Sequence, residues 1–202
     1  MPRIAGQIDI AKTEAILDAA IEVLAERGLS APMEEIARRA CVSKQTIYNR
    51  YGGKADLIRA LIERRVADIV APLETAGAFE HPEAALAGFA RTMLDAILNP
   101  KSAAMMRLYI GAAAEMPEVA RTVFEAGPQA SRRHLSRFLA EEHAAGRMVV
   151  EDPDQAAEFF VGMVIAARQL GVLLAVTPEF GPEEADHIAR SAAARFMKAY
   201  GV

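Results

Sequence analysis

The chain has 202 residues, 52% of them hydrophobic, enough for one large or two small domains with a sizeable core. Its 23 Lys and Arg stand against 27 Asp and Glu, a net of -4, which argues against a wholly basic nucleic-acid coat. The single cysteine, Cys41, excludes an internal disulfide and a cysteine-built zinc site. His81, His134, His143 and His187 are scattered without metal-ligand spacing, and no cofactor is expected. Charge is unevenly spread. Residues 1–65 carry 11 basic and 9 acidic side chains, and residues 66–202 carry 12 and 18, so the N-terminal third is the more cation-rich part. No apolar run is long enough to span a membrane, and the opening "MPRIAGQIDIAK" has no apolar core of signal-peptide length. A soluble cytoplasmic protein is expected.

Apolar residues recur at spacings of three and four along nearly the whole chain, and strand-like alternation is rare, so the fold class is all-α. The first helix is expected from about Ile10 to Arg27, with Ile10, Ala15/Ile16, Ala19/Ala20 and Val23/Leu24 as its stripe and Gly28 as its stop. A short helix follows over Pro32 to Ala40, with Pro32 at the first helical position and Glu34 and Glu35 in the first turn. A third helix lies in "VSKQTIYNRYGGKADL" (42–57), and a fourth over 54–71 stops near Pro72. Further helices are expected at about 82–98, 101–115, 118–126, 128–145, 153–176 and 182–200. Breaks are expected at Asn99-Pro100, Pro117, Gly127-Pro128, Gly146, "EDPD" and "TPEFGP", and "AGAFEHPEA" (76–84) is the candidate linker.

The stretch around residue 45 carries the functional signal. Ser43 is a good N-cap for the third helix. Val42 and Ile47 then fall at the two positions of a hydrophobic staple. Tyr51 continues the inward face begun by Ile47, and Ala37 is small enough for two short helices to approach closely. Two such helices joined by a turn of about three to four residues make a helix-turn-helix. Lys44, Gln45, Thr46, Tyr48 and Asn49 are left outward or on the flanks, an arrangement suited to the DNA major groove. A solvated polar helix in a bundle is the alternative; cap, staple, turn spacing and outward polar set agree on the first reading.

With those residues in view, "ILDAAIEVLAERG", "MEEIARRACVSKQTIYNRY" and "GKADLI" resemble the DNA-binding domain of the TetR family of bacterial transcription regulators, over about a quarter of the chain. The resemblance implies a three-helix DNA-binding head (1–55), a fourth helix (54–71) that connects it onward, and a helical domain (72–202) that binds a small molecule and forms a homodimer. The final helix pair, 153–176 and 182–200, sits where such regulators build a four-helix dimer interface. "MPEVARTVFEAGP" and "EDPDQAAEFFVGMV" also resemble the C-terminal halves of some members. The chain departs from the pattern at four places. Cys41 and Gln45 stand where glycine is usual, Pro32 where a Ser or Thr caps and touches phosphate, and Gly53 where a small hydroxyl residue precedes Lys54.

Contacts to DNA sort into two kinds. Gln45, Thr46 and Lys44 are the candidates for base edges. Ser43, Tyr48, Asn49 and Lys54 are the candidates for phosphate, Lys54 because it begins a helix whose free N–H groups also attract anions. Arg3 and Lys12 are candidates for tracking the backbone or minor groove, although a solvated tail is the more ordinary reading of Arg3. For a small, apolar or amphipathic effector the candidate lining is Phe89, Met93, Leu94, Met105, Met106, Tyr109, Phe124, Phe159, Phe160 and Met163. Any one of these residues at helical spacing also reads as ordinary core. Arg107, Tyr109, His134 and Arg168 are candidates for a polar contact. The segment "AAEFFVGMVIAARQLGVLLAV" (156–176) is apolar on nearly every face and must be buried on several sides. Arg168-Gln169 near its middle argues against a membrane helix. No nucleophile-base constellation, phosphate loop or metal cluster points to an enzyme. The expected function is a ligand-responsive repressor that binds a palindromic operator in double-stranded DNA as a homodimer. An activator, or a regulator with no ligand, is the alternative, with a helical-bundle enzyme behind both.

Overall fold

The computed structural model describes residues 5–176 and 181–202, with side chains from residue 10 onward. Its elements are helices: α1 (Ala5–Arg27), α2 (Met33–Arg39), α3 (Lys44–Tyr51), α4 (Lys54–Glu74), α5 (Pro82–Leu98), α6 (Pro100–Gly111), α7 (Pro117–Phe124), α8 (Ala130–Ala144), α9 (Pro153–Ile165), α10 (Arg168–Leu173) and α11 (Pro182–Tyr200). One isolated antiparallel bridge joins Met148 and Gly201. Two compact units divide the chain. Residues 1–63 with 104–123 make the first, and 64–103 with 124–202 the second.

In the first unit, α1 lays Ile16, Leu17, Ala19, Ala20, Val23 and Leu24 against Ile36 of α2, Ile47 of α3 and Leu57 and Ile58 of α4. Each buried Val, Leu or Ile among them contributes about 1.5–3 kcal/mol, and each alanine less. The stripe begins later than its period suggests: α1 starts before Ile10, and Ile10 and Ala15 are exposed. Ion pairs flank this core. Arg39 reaches Glu22 and Glu26, each at 2.9 Å, and Arg27 meets Glu35 at 2.9 Å, tying α2 to α1. Arg39 holds the Glu26 carboxyl below its ordinary range, chiefly through their hydrogen bond.

The turn after α2 is a Schellman motif. The Val42 N–H donates to the Ala37 carbonyl at 3.0 Å and the Cys41 N–H to the Arg38 carbonyl at 3.2 Å. This geometry puts Cys41 at φ 54, in the left-handed region, where a side chain costs roughly 1–2 kcal/mol. Cys41→Gly is therefore expected to raise stability. Relief of that strain exceeds the roughly 0.5–1 kcal/mol that glycine's extra freedom in the unfolded chain costs. The denaturant midpoint checks this, and a lower midpoint would mean that the exposed thiol side chain makes a favourable contact.

In the second unit, α5 and α11 pack along their length, with α8 and α9 completing the bundle and α10 against α5. Small buried residues on α11 (Ala185, Ala189, Ala192, Ala193) let it lie close to α5, which buries Leu86, Phe89 and Met93. Aromatic rings run through the centre, from Phe89 to Phe160 to Phe196 to Tyr200. Gly88 allows α4 to lie close to α5, since a Cβ there would stand 2.8 Å from the Pro72 Cβ.

Several element boundaries differ from expectation, each for a physical reason. Pro32 is the N-cap of α2, at φ -71 and ψ 144, and not its first helical residue. Pro72 lies inside α4, which continues to Glu74. Pro128 does not end a helix: residues 125–129 form a π-turn that widens the backbone, and the Ser131 hydroxyl donates to the Gly127 carbonyl at 3.1 Å. The helix expected over 153–176 breaks after Ile165. Ala166 adopts φ 44, ψ -135, and the Arg168 side chain donates back to the Val164 carbonyl at 3.1 Å before α10 begins. The turn expected at "TPEFGP" falls mostly on residues 177–180, outside the described residues, as does Arg3.

Candidate nucleic-acid interface

The site is built on α3. Ser43 caps it, with extended backbone at φ -72 and ψ 151 and a side chain that accepts the Thr46 N–H at 3.0 Å. The two hydroxyls, of Ser43 and Thr46, lie 2.8 Å apart. Ile47 is fully buried against the α1 stripe, and Val42 and Tyr51 pack against the same core. At 100° per residue, fixing Ile47 inward places Gln45 and Asn49 on the opposite face and Tyr48 at the side; Lys44, about 60° from Ile47 at the first turn, still reaches solvent, and all four are exposed. Thr46 is half-buried at the flank. One two-turn helix thus separates a buried side chain, Ile47, from an exposed polar set.

The exposed side chains are ordered by one another. The Gln45 Nε2 donates to the Asn49 Oδ1 at 2.6 Å, one helical turn along. Lys44 forms an ion pair with Glu34 in the first turn of α2, and its ammonium also sits 5.4 Å from the centre of the Tyr48 ring. Hydrogen bonding to Lys44 holds the Glu34 carboxyl below its ordinary range and raises the Lys44 ammonium above its own. The pairing of Glu34 with Lys44 leaves no signal in the sequence, because the two stand ten residues apart and only the angle between α2 and α3 brings them together. Arg50, later on the same helix, bonds to Thr13 and anchors α3 to α1.

Lys54, the phosphate candidate at the start of α4, is also held by the protein itself. Its Nζ donates to the Leu29 carbonyl at 2.6 Å and is half-buried, and that burial lowers its pKa. The residue therefore links the start of α4 to the loop between α1 and α2. Gly53 precedes it, and the Gly53 carbonyl accepts the Leu57 N–H at 3.1 Å to open the helix.

The effector candidates do not share one environment. Met105 and Tyr109 are buried in the core of the first unit, with Met106 packed against it. Phe89 and Met93 are buried in the second unit, as are Leu94 and Phe160. Phe124, Phe159 and Met163 are exposed. A shallow groove in the second unit runs past Glu80, His81, Glu83, Arg190 and Met197, and none of the candidates lines it. Among the described residues no group of three or more His, Cys, Asp or Glu is placed to hold a metal, and no helix is long and apolar enough to cross a membrane.

Two family models match the chain. Residues 16–61 match the model of bacterial regulatory proteins of the tetR family, and residues 84–202 match the C-terminal domain of AefR-like transcriptional repressors. No curated protein matches. Among solved structures, a TetR-family transcriptional regulator from Mesorhizobium loti is similar at TM-score 0.76 and 23% identity, over 95% of this chain and 97% of that one. The flavonoid-responsive regulator FrrA is similar at TM-score 0.71 and 29% identity, over 94% and 97%. A TetR regulator from Agrobacterium tumefaciens is similar at TM-score 0.70 and 22% identity, over 95% of each. Model matches at both ends of the chain, and a helix-turn-helix that lies inside the first of them, lead to one statement: the chain belongs to the TetR family of bacterial transcriptional regulators, with its DNA-binding domain at the N-terminal end.

Proposed function

We propose that this regulator is a repressor, working in the bacterial cytoplasm, that binds a palindromic operator as a homodimer and is released by a small amphipathic effector. The observation that carries the reading is the division of α3: Ile47 is buried, while Lys44, Gln45, Tyr48 and Asn49 are all exposed, with Gln45 and Asn49 on the face opposite Ile47. On this reading residues 1–55 read DNA, with α4 leading onward, and residues 72–202 sense and dimerise. Gln45, Thr46 and Lys44 meet base edges. Ser43, Tyr48 and Asn49 meet phosphate, with Lys54 and the start of α4 adding positive potential beside them.

Repression is supported by the repressor model that matches residues 84–202. The effector class is supported by FrrA, a flavonoid-responsive regulator 29% identical to this chain. Phe89 and Met93, buried in the second unit, are the candidates left for an effector there, and the exposed Phe159 and Met163 suit a subunit interface. Effector binding then moves the two heads off the half-site spacing of about 34–36 Å that a two-fold dimer must match.

The test is selection from a random double-stranded DNA pool with the purified chain. A palindrome with half-sites about one helical turn apart is expected; no enrichment at low salt would sink the reading. The recovered operator then serves for mutants and for effector screening with a flavonoid panel. Gln45→Ala is expected to relax base preference at one position. Lys54→Ala is expected to weaken binding to all sequences alike, while also loosening the Leu29 loop that its Nζ holds. Uniform loss for both variants refutes the division of roles.

A further inference from the structure

We infer that Asn49 is a positioning residue which holds the amide of Gln45 as an adenine reader, so that the two side chains act as one unit at a single base pair. The inference rests on the proposal that α3 enters the major groove. It starts from the hydrogen bond in which the Gln45 Nε2 donates to the Asn49 Oδ1 at 2.6 Å. Both side chains are exposed, and neither amide has another partner among the described residues.

A glutamine amide has two N–H donors and one carbonyl acceptor. With one N–H committed to Asn49, one donor and one acceptor remain. That complement matches adenine, which offers N7 as acceptor and N6–H as donor in the major groove. It does not match guanine, whose N7 and O6 are both acceptors and need two donors. A free glutamine can turn its NH2 group toward guanine; one tethered to Asn49 has a single N–H to give. Asn49 keeps both of its own N–H donors, so contact with a phosphate and orientation of Gln45 do not compete. Ordering the Gln45 side chain before DNA arrives also removes part of the entropy that binding otherwise loses.

The experiment measures affinity for the selected operator, and for the same operator with the Gln45-dependent base pair changed from A·T to G·C. It compares the wild-type dimer with Gln45→Ala, Asn49→Ala and Asn49→Asp. Wild type is expected to prefer adenine by about fivefold or more, the discrimination of one bidentate pair. Both alanine variants are expected to bring that ratio close to one at the same position. Asn49→Asp retains an acceptor for the Gln45 N–H, so it keeps the preference while its added negative charge weakens binding to every sequence. If Asn49→Ala leaves the ratio intact and weakens all sequences alike, Asn49 is a phosphate contact only and the inference fails. A wild-type preference for guanine reverses the donor and acceptor and also overturns it. If Gln45→Ala relaxes no position, the base-reading role of Gln45 fails first, and the inference with it.

Discussion

Glutamate in place of Phe159 or Met163 is expected to give a monomer of 21.8 kDa that folds normally and loses its operator. Phe159 is 53% exposed and Met163 40% exposed, one turn apart on the same face of α9, with exposed Gly162 beside them. Large apolar side chains in a cluster on a helix face mark an interaction surface. In a two-fold dimer the same patch meets itself, so one substitution places two like charges in a drying interface. The cost of a buried uncompensated charge, roughly 3–5 kcal/mol, is met twice in a two-fold interface, and the sum is comparable to the roughly 8–12 kcal/mol that holds a micromolar to nanomolar dimer together. The exposed positions make the cost to the monomer's own fold small. A monomer holds one half-site instead of two, and losing the second contact lowers operator affinity by about a hundredfold or more. Sedimentation velocity reads the mass, and Glu158→Gln on the same helix serves as the control. A variant that still sediments as a dimer would place the interface elsewhere than on α9.

The helix-turn-helix was legible because its determinants are local. Ser43 caps within three residues, Val42 and Ile47 staple within five, and the Cys41 turn is set by hydrogen bonds to Ala37 and Arg38. The two long-range pairings that shape the same surface, Glu34 with Lys44 and Arg50 with Thr13, leave no periodic trace in the sequence. The break at Ala166 was equally hidden. "VIAARQL" contains neither glycine nor proline, and only tertiary packing drives an alanine to φ 44. Proline misled in the opposite direction. Pro72 and Pro128 read as stops, yet the backbone passes through both, in one case beside Gly88 and in the other through a π-turn. The effector lining was the least legible part. Met and Phe at helical spacing look the same whether they face a neighbour or a hollow, and the structure divides the candidates among the first unit's core, the second unit's core and the surface.

Phe160→Ala is expected to cost about 3–5 kcal/mol, a large part of the 5–15 kcal/mol that holds a domain folded. Phe160 is fully buried in the second unit. Its ring lies 6.3 Å from that of Phe89 and meets Phe196 edge-on at 5.1 Å, with Phe196 in turn 4.4 Å from Tyr200. Truncation removes both aromatic contacts of Phe160 and leaves a cavity among α5, α9 and α11 that fixed helices cannot fully close. For a chain of this size each kcal/mol shifts the midpoint by about 2–4 °C, so the transition of the second unit is expected to fall by roughly 10 °C. The first unit has its own core, which does not include Phe160, and a separately resolved transition for it is expected to stay in place. Phe160→Leu keeps most of the volume and is expected to lose much less. The same measurement decides between the two readings of this residue. A loss below about 1.5 kcal/mol is what a ring facing a hollow gives, because no close-packed neighbour is then left behind. Phe160 would in that case line the effector site, and the loss would grow once effector is bound.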